Sequence, residues 1–474
     1  MYWINFLHIY QPPNQKRYWV DKVTEESYRR ILRELERAPR AKMTMNMSAC
    51  LGELLVRYGH HDVIRSLQKL MARGQLELTG SAKYHPFLPK LPTHEVERQI
   101  DLNVKTLRKI LGPVYAPRGF FPPEMAVTPT LARTIARLGY TWVIADEAAF
   151  PGNTLDTTTV YTVKGTRLAI FFRERSMSFK ILSAQLGTGS LLLRDLGDRL
   201  TKNEYMLTAM DGETFGHHRL GLEKLLFDIY RSSALTTVTL SHVLEIFSKR
   251  TVVTPLPSSW ALLHKDLAKK APFSRWDDRT NAIHRSQWQL TALAIRAVHQ
   301  ALRRGDRATK ARNLLDAALH SDQYWWASAK PWWSLENIEA GAFDLLTAVR
   351  AIPRVSHATL ARAKDFYDRI IFTGFRWQRA GIVDALVREH YDEEVAERLD
   401  TTVPTMRTAE FKRIVDHLRD QMRAAAKDEE YDRAQQFKKR ILELEEQRKQ
   451  EAGKRWRSTE QPKQSEGTAK SWGI

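Results

Sequence analysis

Seven short apolar runs punctuate the first half of the chain, at residues 2–7, 43–47, 75–78, 119–121, 142–145, 168–172 and 206–209. Segments of helical spacing lie between them, at 62–73, 94–110 and 129–138, the last with Ala132, Ile135, Ala136 and Leu138 on one face. Strands that alternate with helices are joined by crossovers, which makes the pairing parallel and buries both faces of the sheet. The pattern therefore predicts an α/β fold. Seven strands favour a barrel-like arrangement over a flat doubly wound sheet.

Beyond this strand–helix region, taken as 1–255, the pattern predicts a helical, Trp-rich region at 256–375. There 286–303 and 309–319 have helical spacing, and Tyr324, Trp325, Trp326, Trp332 and Trp333 follow. Residues 376–453 are charged and helical, and 454–474 form a polar tail too poor in apolar residues to order itself. Phe411, Ile414, Val415, Leu418 and Met422 make one apolar stripe; Tyr431, Ala434, Phe437, Ile441 and Leu444 make a second. Two stripes either side of a short polar break predict a helical hairpin. Its segment LRDQMRAAAKDEEYDRAQQFKKRILELE resembles the UVR-type hairpin of nucleotide-excision-repair proteins. That resemblance implies a docking element for a protein partner, while a plain amphipathic hairpin closing the helical region fits the same residues.

Composition removes several function classes. The formal charge is +19, but Lys and Arg are spread along the whole chain on helical faces, which reads as a solvated surface rather than a nucleic-acid footprint. Cys50 is the only cysteine, so neither an intramolecular disulfide nor a cysteine-ligated zinc site is available. The opening MYWINFLHIYQPP has neither the basic start nor the apolar core of a signal peptide, and no run of about 18 uncharged apolar residues could span a membrane. A cytoplasmic location is expected. GxxxxGK(S/T), HExxH and GxSxG motifs are all missing. The His60-His61 and His217-His218 pairs are adjacent, so their rings diverge and neither pair makes a metal site alone.

Two acidic residues follow predicted strands, the position where α/β barrels carry their chemistry. Glu124 lies in RGFFPPEMAV and Asp211 in YMLTAMDGETFGHH. Glu213, two residues on, shares a side with Asp211 if the segment is extended. Such carboxyls usually cap a helix or face solvent, but two of them set among aromatics, Pro and Gly suit glycoside cleavage. That reaction needs one carboxylic acid for the leaving oxygen and one carboxylate to attack or to activate water. Phe120, Phe121 and Phe215 are placed to supply an apolar wall that raises the pKa of the acid.

Five blocks in order carry a resemblance to glycoside hydrolase family 57: LHIYQPP, GQLELTGSAKYHPFLPKLP, GFFPPEMAV, MDGETFGHH and SDQYWWAS. The resemblance implies an incomplete (β/α)7 barrel, a helical domain that completes the cleft, and double displacement on α-glucans without metal or organic cofactor. It implies Glu124 as nucleophile and Asp211 as acid/base. His8, Gln11, Glu77, His85, Glu213, His217, Asp322 and Trp325 are the expected substrate-binding residues. Capping or core roles compete at several of them, and Glu77, a carboxylate on a buried strand, needs either a sugar hydroxyl or an Arg as partner. Phe120-Phe121-Pro122-Pro123 stand where the family commonly has a Trp before its nucleophile.

The sequence leaves hydrolysis and transfer to a sugar acceptor both open, with hydrolysis favoured because no long insertion offers a lid. Two rival readings remain. A metal-dependent carbohydrate deacetylase would need an Asp-His-His set, and the first strand supplies His8 without an adjacent Asp. A catalytically silent glucan-binding scaffold would not need both carboxyls.

Overall fold

All seven apolar runs are strands, and three further short strands join them. In chain order they are β1 (Tyr2–Ile9), β2 (Met43–Met47), β3 (Leu76–Leu78), β4 (Gly119–Phe120), β5 (Trp142–Asp146), β6 (Val160–Val163), β7 (Ala169–Arg173), β8 (Tyr205–Asp211), β9 (Thr236–Thr237) and β10 (Arg250–Val253). These elements come from a computed structural model that describes residues 1–330, 332–399, 408–427 and 429–459. The chain forms two units, Met1–Pro404 and Thr405–Ile474.

The first sheet has the order β3-β2-β1-β8, with β9 on the start of β1, and every pair in it is parallel. The second runs β10-β6-β7-β5-β4, parallel except for β6 against β7. A parallel bridge between Gly80, just past β3, and Phe120 of β4 joins the sheets. On the other side the Glu174 N–H donates to the Leu207 carbonyl at 2.8 Å. Glycine is required at the first seam: a Cβ on Gly80 would lie 2.4 Å from the Tyr140 hydroxyl, and one on Gly119 would lie 2.0 Å from the Trp142 ring. Ile4, Phe6, Phe121, Trp142, Ile144, Phe171 and Leu207 pack between the sheets. The sequence reading passed over β6, β9 and β10. β9 is two residues long, β10 exposes three of its four, and β6, antiparallel to β7, lies in a Thr-rich turn region preceded by a single 3₁₀ turn, Glu147–Ala149.

Helices Ala282–Arg303, Thr309–Ala318, Leu335–Arg350 and His357–Arg379 form the helical region around a core of Leu290, Ala294, Val298, Leu315, Ile338, Leu345 and Ile370. An ion-pair network ties it to the strand region. Arg312 donates to both oxygens of buried Glu95 at 2.7 and 2.9 Å, and also reaches Asp316 at 2.8 Å. Arg98, on the same helix as Glu95, reaches Asp316 at 2.6 Å. In the second unit, helices Thr408–Lys427 and Tyr431–Thr459 bury Val415, Leu418, Ala425, Phe437 and Ile441. The second helix runs into the stretch read as an unstructured tail, and 460–474 lie outside the described residues. Among the described residues no helix is long and apolar enough to cross a membrane.

Because Glu95 is fully buried, removing Arg312 leaves its carboxylate out of water with His299 Nε2, 2.9 Å away, as the remaining close partner. Arg312→Ala is expected to cost about 3–5 kcal/mol at neutral pH, read as a lowered urea midpoint. A midpoint within about 1 kcal/mol of the parent's would show that the junction does not rest on this network.

Candidate active site

Strand register places the first part of the site. His8 at the end of β1 is level with Asn46 on β2 and with Asp211 on β8. His8 Nδ1 and Asn46 Oδ1 are 2.8 Å apart, and Asn46 in turn donates to Thr79 at 2.9 Å. Adjacent parallel strands thus bring residues from three distant segments to one rim.

Glu124 reaches the same rim by a different route. After β4, Pro122 and Pro123 restrict the chain. Glu124 and Met125 then take φ values of 61° and 49°, in the left-handed region that branched-off side chains normally avoid. The Trp260 N–H donates to the Glu124 carbonyl at 3.2 Å and holds the turn. Trp260 Nε1 also donates to Glu124 Oε2 at 3.1 Å, and the Ser321 hydroxyl donates to Oε1 at 3.0 Å. Both oxygens of this carboxylate are therefore fixed.

Stacked rings wall the cleft beside it. Tyr10 lies 4.1 Å from His85, His85 5.0 Å from His8, and His8 4.8 Å from Phe121, all between ring centroids. The Tyr10 hydroxyl donates to Asp322 Oδ2 at 2.6 Å, and His320 Nδ1 lies 3.1 Å from the same oxygen. Glu213 accepts from the Tyr28 hydroxyl and from the Tyr10 N–H. A cavity of about 510 Å³ is lined by His8, Gln11, His85, Glu124, Asp211, Glu213, Asp322 and Trp325, together with Tyr10, Arg173, Trp260, Trp326 and Trp332. This volume is of the size that takes a small organic ligand.

Burial sets the protonation of these groups. It pushes Glu124 up to about 8, assisted by the negative charges of Asp322 and Asp211 and opposed by the Trp260 and Ser321 donors. Asp211 is also raised by burial, and less so because the Arg173 guanidinium opposes the rise. Glu213 is raised by burial and by the charge of Asp211. Asp322 goes the other way: burial would raise it, but His320, His85 and the Tyr10 hydroxyl together hold it below the usual carboxylate value. Burial keeps His85 down at about 4 and His8 well below its ordinary value, so both rings are neutral. Arg173 is buried, paired with Asp146 at 2.5 Å, and donates to the carbonyls of Ala209 and Trp260.

Two expected binding residues lie elsewhere. Glu77 takes its hydrogen bonds from a helix start rather than from an Arg. It accepts from the N–H and hydroxyl of Ser241, at the start of helix Leu240–Ile246, where the first amides of a helix lack partners. His217 pairs with Glu26 at 2.5 Å, and its neighbour His218 lines the cavity instead. The sequence reading missed Tyr10, Arg173, Trp260 and Ser321. Arg173 ends β7 and so carried the same strand-end signal as Asp211, and Ser321 adjoins Asp322 in SDQYWWAS. Trp260, in a loop, carried no signal.

The sequence pattern described as Glycosyl hydrolase family 57 matches residues 2–254. An α-amylase of Pyrococcus horikoshii is 32% identical over 150 residues, covering 31% of this chain and 23% of its own. A 4-α-glucanotransferase of Thermococcus kodakarensis is 31% identical over 152 residues, covering 31% and 22%. The match thus spans less than a quarter of these relatives' length. Among solved structures, a branching enzyme from Thermococcus kodakaraensis superposes with a TM-score of 0.61 at 17% identity, over 78% of this chain and 94% of that one. The 4-α-glucanotransferase of Thermococcus litoralis gives 0.58 at 20%, over 74% and 60%. At these identities the likeness is one of fold.

The raised Glu124 has a consequence for stability. Its folded value, about 8, exceeds its ordinary 4.5, so between those pH values the folded protein binds more protons than the unfolded chain. Stability then falls as pH rises through that window. Glu124→Gln removes the effect. The variant is expected to match the parent near pH 4.5 and to gain up to about 2–4 kcal/mol by pH 8–9, read as a rising difference in Tm. A difference independent of pH would contradict the burial of an ionisable group here.

Proposed function

Given that the chain belongs to glycosyl hydrolase family 57, we propose that it cleaves α-glucosidic bonds of α-glucans by double displacement, with Glu124 as nucleophile and Asp211 as acid/base. The observation that carries this reading is the pair of half-buried carboxyls, one at the end of β8 and one in the turn after β4, lining one ring-walled cavity. The first sheet, the Gly80–Phe120 bridge and the second sheet up to β7 support an incomplete (β/α)7 barrel as the frame. The two helices after Thr405 fit a UVR-like hairpin that docks a protein partner.

In the first step a Glu124 oxygen attacks the anomeric carbon. The bond to the leaving oxygen breaks, and Asp211 gives that oxygen its proton. In the second, a water or a sugar hydroxyl attacks the same carbon, passes its proton to Asp211 and frees Glu124. Attack requires an ionised Glu124, and the Trp260 and Ser321 donors stabilise that form. His8, Gln11, His85, Glu213, Asp322 and Trp325 line the cavity, which supports a sugar-holding role for them. The deacetylase alternative lacks a ligand set at the cavity: among the described residues, the grouping with metal-ligand spacing is His94, Glu95 and His299, and none of these lines it.

Incubation with maltooligosaccharides tests the reading. Wild type should generate a ladder of products, longer than the substrate if acceptors are sugars and only shorter if water is the acceptor. Asp211→Asn and Glu124→Gln should each lose roughly 10²–10⁴-fold or more in kcat. With Glu124 titrating above Asp211, the fraction holding an ionised Glu124 and a protonated Asp211 is flat between the two and declines above about 8. The kcat/KM profile should therefore show its upper break there. Unchanged turnover in both variants would remove the assignment.

A further inference from the structure

We propose that Ser321 is a positioning residue for the nucleophile, its hydroxyl fixed by His85 so that it aims its proton at Glu124. The proposal rests on the glucan-cleaving reading above and adds to it a residue that does not touch the sugar's reacting atoms.

The geometry is a three-member chain. Ser321 is fully buried, and its hydroxyl lies 3.0 Å from Glu124 Oε1 and 3.0 Å from His85 Nδ1. A hydroxyl carries one proton. Since an ionised Glu124 oxygen can only accept, Ser321 donates there and accepts from His85 N–H, which puts the histidine proton on Nδ1. His85 Nε2 is then an acceptor, and it is buried without a hydrogen-bond partner among the described residues, so the ring has no competing use for its proton. The ring cannot swing away. It is stacked on Tyr10 at 4.1 Å, and its residue takes φ 53°, a left-handed conformation fixed by its surroundings.

The backbone completes the clamp. The Ser321 N–H donates to the His85 carbonyl at 2.9 Å, and Pro86 bridges antiparallel to His320. Ser321 thus arrives from the helical region already registered on the loop after β3. The titratable groups facing Glu124 are His85, whose Nδ1 is 3.7 Å from Oε1, with Asp322, Asp211 and Tyr10. Asp322 and Asp211 disfavour its ionised form, and Tyr10 and His85 are neutral, so the Ser321 and Trp260 donors carry the stabilisation of the carboxylate.

Reaction with an activated α-fluorosugar that traps a glycosyl-enzyme on Glu124, followed by mass spectrometry over a pH series, tests the proposal. Ser321→Ala should slow trapping at pH 7 about tenfold, move the upper break of kcat/KM on maltooligosaccharides from near 8 to higher pH, and leave KM and Tm near the parent's. Ser321→Thr, which keeps the hydroxyl, should restore both. His85→Phe, which keeps a ring in the stack, should shift the break in the same direction. Trapping by Ser321→Ala at the parent's rate and pH dependence would overturn the proposal while leaving the reaction assignment standing. An unmoved break in His85→Phe would overturn the part given to His85. Failure of wild type to label on Glu124 would bring down the glucan-cleaving reading itself, and the positioning role with it.

Discussion

A carboxylate largely withdrawn from water must be satisfied by fixed donors, and much of this site follows from how that is done for Glu124. Its two oxygens take hydrogen bonds from Trp260 and Ser321, which lie 136 and 197 residues further along the chain. Neither donor can be moved without altering the ionisation of the proposed nucleophile. The local backbone is consistent with that constraint, because two consecutive residues held at positive φ persist only when the surroundings over-determine them. The turn at Glu124, the loop carrying Trp260 and the segment carrying Ser321 are therefore parts of one arrangement.

Holding those parts in register falls to buried charge and to the sheets. The Glu95–Arg312–Asp316–Arg98 network fixes the helical region against the helix that follows β3. Arg173 bridges Asp146 at the end of β5 to the carbonyls of Ala209 and Trp260, and so links two strand ends to the Trp260 loop. Such pairs are costly to bury and add little net stability, but breaking one is severe. Their value here is positional. Opposed pKa trends follow: Glu124, Asp211 and Glu213 are raised by burial, while Asp322, surrounded by donors, stays ionised. With Glu124 titrating above Asp211, the form with an ionised Glu124 and a protonated Asp211 is the minor one, so donors to Glu124 bear directly on how much of it is present.

Much of the frame was legible because it is written in local periodicity. Apolar runs with helical segments between them gave seven of the ten strands, and the strand-end position of Asp211 and the turn after β4 singled out both carboxyls. The strands passed over were those with little apolar signal, such as β10 with its three exposed residues. Among the binding candidates, Glu77 and His217 illustrate the limit. Glu77 sits on a strand beside cavity-forming segments, yet its face of the pleat meets the amide of Ser241. In the turn after β8, the His217 and His218 rings lie 5.1 Å apart, and pairing with Glu26 takes His217 while His218 lines the cavity.

The sequence by itself determined the α/β class, the strand ends that carry the carboxyls, and the aromatic-rich helical region, since each depends on residues within a few positions of one another. Tertiary structure alone decided that Ser321 and Trp260 share Glu124, that Tyr10 serves Asp322, and that Glu77 serves a helix end. Those choices turn on strand register and on the docking of segments more than a hundred residues apart. A shift of one residue in either would reverse which side chains face the cavity.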